Sequence, residues 1–172
     1  PAYFADTVYC YDVSDSARVF SQNYTYQKGG WVVHMLRWVL GSETFFGALA
    51  HYRSQFSGRN ADTEDFKLAV EAYTGQDLDW FFDQWVYGGG HPEYKVRSWW
   101  DPKTREAVVR VVQSQTTNGE TGLFALPVEF AFWVNGKEKR FKETVEKKTH
   151  LFHFKLTSEP ALTLFDPDHW IL

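Results

Sequence analysis

The hydrophobic period of this chain changes once, across Gly88-Gly89-Gly90-His91-Pro92. Before that point apolar residues recur every three or four positions, and after it every two. A helix buries one stripe of its surface and a strand buries alternate residues, so one periodicity cannot serve both. The switch implies an α+β fold in two parts, an N-terminal α-helical bundle over residues 1–90 and an antiparallel β-sandwich over residues 91–172.

In the first part, residues 1–14 have no clear period, and Ser14 or Asp15 can cap a brief helix through Ser21. From Lys28 to Leu40 the pattern is helical, with Trp31, Met35 and Trp38 on one stripe beside Val32, Leu36 and Val39. Gly41 stops it, and Ser42 can cap a second helix carrying Phe45, Phe46, Leu49, Tyr52 and Phe56. Thr63 is expected to cap a third, with Phe66, Val70 and Tyr73 on one face and Gly75 as its stop. Asp77 is expected to cap a fourth, carrying Leu78, Phe81, Phe82, Trp85 and Val86.

In the second part, "REAVVRVVQSQ" places Ala107, Val109 and Val111 on one face and Val108, Arg110 and Val112 on the other. Asn135-Gly136 is the strongest hairpin signal, with "FALPVEFAFWV" before it and "KEKRFKETVEKK" after it. Pro127 suggests an edge strand or a bulge. "HLFHFKL" and "ALTLFDP" bring the expected total to six or seven strands.

Hydrophobic residues make up 44% of the 172 and aromatics 19%, which favours a packed core. A net charge of −4 argues against an electrostatic nucleic-acid binder. The single cysteine, Cys10, forms no internal disulfide and belongs to no Cys-x-x-Cys pair. No apolar run reaches the roughly 18 residues of a membrane span. The opening "PAYFADTVYCYDVS" has no signal-peptide pattern and reads as the middle of a longer chain, so no compartment is assigned.

Candidates for chemistry are few. His150 and His153 lie three apart on an expected strand, so their rings face opposite sides and cannot chelate one ion. No His-Glu-x-x-His occurs, and the triple glycine lacks the Lys-Ser/Thr of a phosphate loop. Glu64, Asp65, Asp77, Asp79 and Asp83 read as helix-start and solvent-face charges. The basic residues of "KEKRFKETVEKK" are interleaved with acids, as on a solvated strand. Tyr26 remains: a tyrosine directly ahead of a Lys-Gly-Gly step at the mouth of a helix, suited either to packing or to donating a hydrogen bond.

The stretch "TYQKGGWVVHMLRWVLGSETFFGALAHYRSQF" resembles the Tyr-x-Lys-Gly segment of the zinc aminopeptidase N family, the gluzincin aminopeptidases. "ADTEDFKLAVEAYTGQDLDWFFDQWVYGGGHPEYKV" is similar to the run that follows it in that family. The resemblance is close from Ser21 to Val96, and the β half is similar by pattern to the sandwich that follows the catalytic domain. It implies that residues 1–90 are the C-terminal half of a thermolysin-like catalytic domain. It also implies that the parent protein hydrolyses N-terminal residues from peptides by means of zinc-activated water. Tyr26 would then be the catalytic phenol that hydrogen-bonds the oxyanion of the tetrahedral intermediate, with Lys28, Gly29 and Gly30 as scaffold.

The family's His-Glu-x-x-His, with its two zinc-binding histidines and general-base glutamate, the downstream zinc-binding glutamate that goes with it and the Gly-x-Met-Glu-Asn-type motif do not occur in these residues. The resemblance therefore implies zinc in the parent protein, none bound by this chain, and no peptidase activity from the chain alone. A non-catalytic peptidase-like binding or scaffold module is the alternative. A free-standing module with an aromatic surface, at Trp99 or Trp100, is a third reading. Apolar surface left by an absent half would favour self-association through the helical part.

Overall fold

The computed structural model describes residues 6–119 and 121–172. One compact unit ends at Gly89 and a second begins at Gly90.

The first unit is helical. It contains α1 (Ser16–Val19), a π-helical segment π1 (Gln22–Lys28), α2 (Gly29–Leu40), α3 (Ser42–Phe56), α4 (Thr63–Thr74), α5 (Asp79–Phe82) and a second π-helical segment π2 (Asp83–Tyr87). Asp15 caps α1 by accepting from the backbone N–H groups of Ala17 and Arg18. Gly41 lies between α2 and α3 at φ +79°, where a side chain would be strained. The cap of α4 is Asp62 rather than Thr63. Its carboxylate accepts from the Asp65 N–H while the Asp65 carboxylate accepts from its own, a reciprocal box that satisfies two otherwise orphaned donors. Asp77, the expected cap of the fourth helix, accepts from the N–H of Asp79 but stands one residue ahead of the N-cap, since α5 begins at Asp79 with Leu78 in that position.

The buried stripe of α2 is Val32, Met35, Leu36 and Leu40, with Trp31 and Trp38 half-buried at its margins. An indole is too large to be enclosed at the edge of so short a helix. Phe46, expected inside, is exposed and lies under the Arg37 guanidinium, 5.2 Å from its ring centre. Phe81, Phe82, Trp85 and Val86 are all buried. No helix among the described residues is long and apolar enough to cross a membrane.

The second unit has six antiparallel strands: β1 (Tyr94–Asp101), β2 (Glu106–Gln113), β3 (Leu126–Val134), β4 (Lys137–Val145), β5 (Thr149–Lys155) and β6 (Leu162–Phe165). They form two three-stranded sheets, ordered β1-β2-β5 and β4-β3-β6. Alternate residues of both sheets make one core: Ala107, Val109 and Val111 meet Val128, Phe130, Phe132 and Phe154. Asn135 and Gly136 turn the β3–β4 hairpin at φ +52° and +75°, as a two-residue loop with the twist of its strands requires. Pro127 lies on a central strand, contrary to expectation. β6 pairs only with Phe130 to Trp133, so Pro127 has a paired neighbour on the β4 side alone, and its missing N–H disrupts no ladder toward β6.

One feature of this unit carries no periodic signal. The side-chain amide of Gln113 is buried and pairs with the backbone of Phe124, donating to its carbonyl at 2.8 Å and accepting from its N–H at 2.9 Å. The amide supplies the donor and acceptor that a neighbouring strand would otherwise provide.

Candidate functional site

Tyr26 lies on π1, which runs without a break into α2. Its N–H donates to the carbonyl of Ser21, five residues back, at 3.3 Å, and the Ser21 hydroxyl caps the segment by accepting from Tyr24 N–H. Five-residue spacing widens the turn and re-aims side chains, and π-helical turns often occur at functional sites. The phenol of Tyr26 is exposed, and among the described residues its hydroxyl has no hydrogen-bond partner.

The support beneath it is Lys28, two residues on. This side chain is fully buried, and its ammonium donates to the carbonyls of Asp6 at 2.8 Å and Gly88 at 3.2 Å. Burial pushes its pKa down to about 8, an effect that the charge of Asp6 opposes and that of Arg18 reinforces. Arg18 fixes the same neighbourhood through its Nε, 2.8 Å from an Asp6 carboxylate oxygen, and through Nη2, 2.6 Å from the Thr7 carbonyl. The N–H groups of Val8 and Tyr9 both donate to the carbonyl of Val86, on π2. Residues 6–9 are thereby stitched to the end of π2 and to the root of π1.

A Cβ at Gly29 would make an ordinary contact, 3.6 Å from Val8 Cγ1, and one at Gly30 would meet nothing within 4 Å, so among the described residues close packing requires neither glycine. Sequence reading assigned Lys28 to the scaffold without a partner. The partners are backbone carbonyls, which leave no trace in a pattern of side chains.

The histidines have structural work. His150 accepts from the N–H groups of Glu146 and Lys147 in the β4–β5 turn, and His153 lies 3.0 Å from Glu106. Among the described residues one group could hold a metal ion, Glu71, Asp77 and Asp79, with oxygens within 4.8 Å of one another. Glu71 already accepts from the N–H of Leu78, and Asp79 is 2.6 Å from the Lys67 ammonium. This exposed all-carboxylate set lacks the imidazole donors of a catalytic zinc site. These residues do not fit the zinc of the family that the sequence resembles.

Residues 7–85 match the Peptidase family M1 domain, a family whose aminopeptidases are metallopeptidases. The chain is 30% identical over 129 residues to "Aminopeptidase M1-A" of Oryza sativa subsp. japonica, covering 68% of this chain and 14% of that protein. It is 34% identical over 89 residues to "Aminopeptidase N" of Haemophilus influenzae, covering 52% of this chain and 10% of that one. Its fold is similar to that in the crystal structure of Legionella pneumophila aminopeptidase A in complex with aspartic acid. The TM-score there is 0.75 at 19% identity, with 95% of this chain and 19% of that one covered. The chain thus spans about 14% of the rice relative. On the match across the helical unit, the relatives and the shared fold, the chain belongs to the M1 aminopeptidase family.

Proposed function

We propose that this chain is the part of a zinc-dependent aminopeptidase that supplies the oxyanion donor, with residues 1–90 belonging to the catalytic domain and residues 91–172 forming the sandwich after it. Tyr26 is the catalytic group. The observation that carries this reading is an exposed phenol without a partner among the described residues, on a π-helical segment that also carries a buried ammonium clamp.

A neutral phenol donates a hydrogen bond at pH 7. As a nucleophile adds to a peptide carbonyl, negative charge grows on the oxygen, and a fixed donor there stabilises the transition state more than the ground state. The Lys28 clamp limits movement of the turn, so little reorganisation is needed as charge develops. Metal ligands and nucleophile come from outside these residues in this reading, and the substrate is the N-terminal end of a peptide.

Two measurements test it. The chain alone should not hydrolyse an amino-acid anilide; hydrolysis abolished by a chelator would overturn that expectation. In the reading frame that contains this chain together with an upstream His-Glu-x-x-His, Tyr26→Phe should lower kcat about 10²–10³-fold with little change in KM. An unchanged kcat would return Tyr26 to a packing role.

A further inference from the structure

The two outer faces of the sandwich unit treat their charges in opposite ways. On the β4-β3-β6 sheet, Arg140 is neutralised three times over, at 2.7 Å from Glu129, 3.1 Å from Glu138 and 2.5 Å from Asp168. On the β1-β2-β5 sheet, Arg97 and Arg110 are directly opposite each other in register, so both side chains leave the same face. Like charges in that arrangement repel and weaken a sheet. Among the described residues neither guanidinium has an ion-pair or hydrogen-bond partner, and Lys95, on the same face, has none either.

The acids on this face are engaged elsewhere. Glu106 bonds His153, and Asp101 accepts from the N–H groups of Lys103 and Thr104. The arginines are flanked by apolar surface. Trp99 is 48% exposed, and Leu151, opposite Arg110, is 52% exposed. Between Trp99 and His153 the row is floored by Val108, which is only 3% exposed. An aromatic beside uncompensated arginines on a continuously paired sheet is the composition of a protein–protein hot spot.

We infer that the outer face of the β1-β2-β5 sheet docks an acidic polypeptide segment, whose carboxylates relieve the Arg97–Arg110 repulsion while apolar side chains lie against Trp99 and Leu151. Guanidinium forks match carboxylates in bidentate geometry, which suits a peptide acid better than an isolated point charge. Nucleic acid is a poorer occupant. Lys95, Arg97, Arg110 and Lys155 are the face's few cations, Lys155 standing opposite Glu106, and the chain as a whole is net negative, at −4. The inference does not depend on the catalytic role of Tyr26.

The test is fluorescence anisotropy of a fluorescein-labelled oligoglutamate titrated with the 172-residue chain. Saturable binding that weakens with added salt is expected. The double variant Arg97→Gln/Arg110→Gln should weaken it by about tenfold or more. Lys147→Gln/Lys148→Gln, at the β4–β5 turn, should leave it unchanged. Thermal melts of the single variants Arg97→Gln and Arg110→Gln keep the test independent of folding defects. Unchanged or raised midpoints are expected, because a repulsive pair has been removed. Absence of binding at low salt, or full binding by a folded double variant, would overturn the proposal. So would lowered midpoints in both single variants, or an oligothymidylate of equal charge that binds as tightly. A mass doubling in sedimentation that the double variant abolishes would assign the face to a second copy, and overturn it too.

Discussion

The Lys28 ammonium donates to the carbonyl of Gly88, a residue 60 positions away, and to that of Asp6 on its other side. Its pKa is pushed down to about 8 by burial, so between pH 8 and its ordinary value of 10.5 the unfolded chain binds more protons at this position than the folded one. Stability should therefore rise with pH across that window, by at most about 1.4 kcal/mol per pH unit. Urea midpoints measured from pH 7.5 to 10 test the sign, and Lys28→Met should abolish the rise. A decline over the same range in the parent chain would show that the ammonium is better stabilised folded than unfolded. At higher pH the buried Tyr94 phenol, whose pKa burial raises, should reverse the trend, because the unfolded chain then loses its proton first.

Tyr26→Phe should leave the unfolding free energy of this chain, measured by urea denaturation, within about 0.5 kcal/mol of the unsubstituted chain, because the hydroxyl is exposed and bonded to nothing among the described residues. A loss above about 1 kcal/mol would mean that the phenol holds the turn together, and that catalysis need not explain its presence.

Gly90→Ala should destabilise strongly for two separable reasons. Its φ of +81° costs a side chain about 1–2 kcal/mol. An added Cβ would also come within 2.5 Å of Thr121 Cγ2. Pairing it with Thr121→Ala, which removes both Cγ2 and the Oγ1 that would lie 2.6 Å away, should recover part of the loss in chemical denaturation, while the φ component persists.

Gln113→Leu keeps the volume but removes the buried amide that bonds the N–H and carbonyl of Phe124. A cost of about 1–3 kcal/mol is expected. Faster amide exchange at Phe124 should accompany it. An unchanged exchange rate would show that another group satisfies this backbone.

Phe130→Ala removes the ring packed at 5.2, 5.1 and 5.5 Å from Phe152, Phe154 and Phe165, and should cost about 3–5 kcal/mol in urea unfolding.

The two periodicities were legible because each reports directly on a buried face. Ala107, Val109 and Val111 went inside as their alternation required, and Asn135-Gly136 turned the hairpin. The four-helix pattern of the first part was legible in outline, yet the π-helical turns were not. A π-turn differs from an α-turn only in closing each backbone hydrogen bond over five residues instead of four, and the apolar spacing of "DWFFDQWV" is compatible with both. Phe46 is exposed with its ring 5.2 Å from the Arg37 guanidinium, a pairing across a helix boundary that no single-helix period contains. At the candidate site the tyrosine was visible only through family resemblance. Its clamp was invisible, since Lys28 bonds to carbonyls, and every residue has one.

The shared acceptance of the Val8 and Tyr9 N–H groups by Val86 has a topological consequence. The chain passes through one gate on its way into the helices and returns to that gate before it leaves them. The helical unit is closed like a purse on a drawstring, and the cut ends of the intervening loop lie side by side. Joining Gly88 to Asp6 by a short linker, which keeps both carbonyls that hold Lys28, and opening the chain instead at the exposed Ser57–Asn60 loop, should give a permuted unit that still folds.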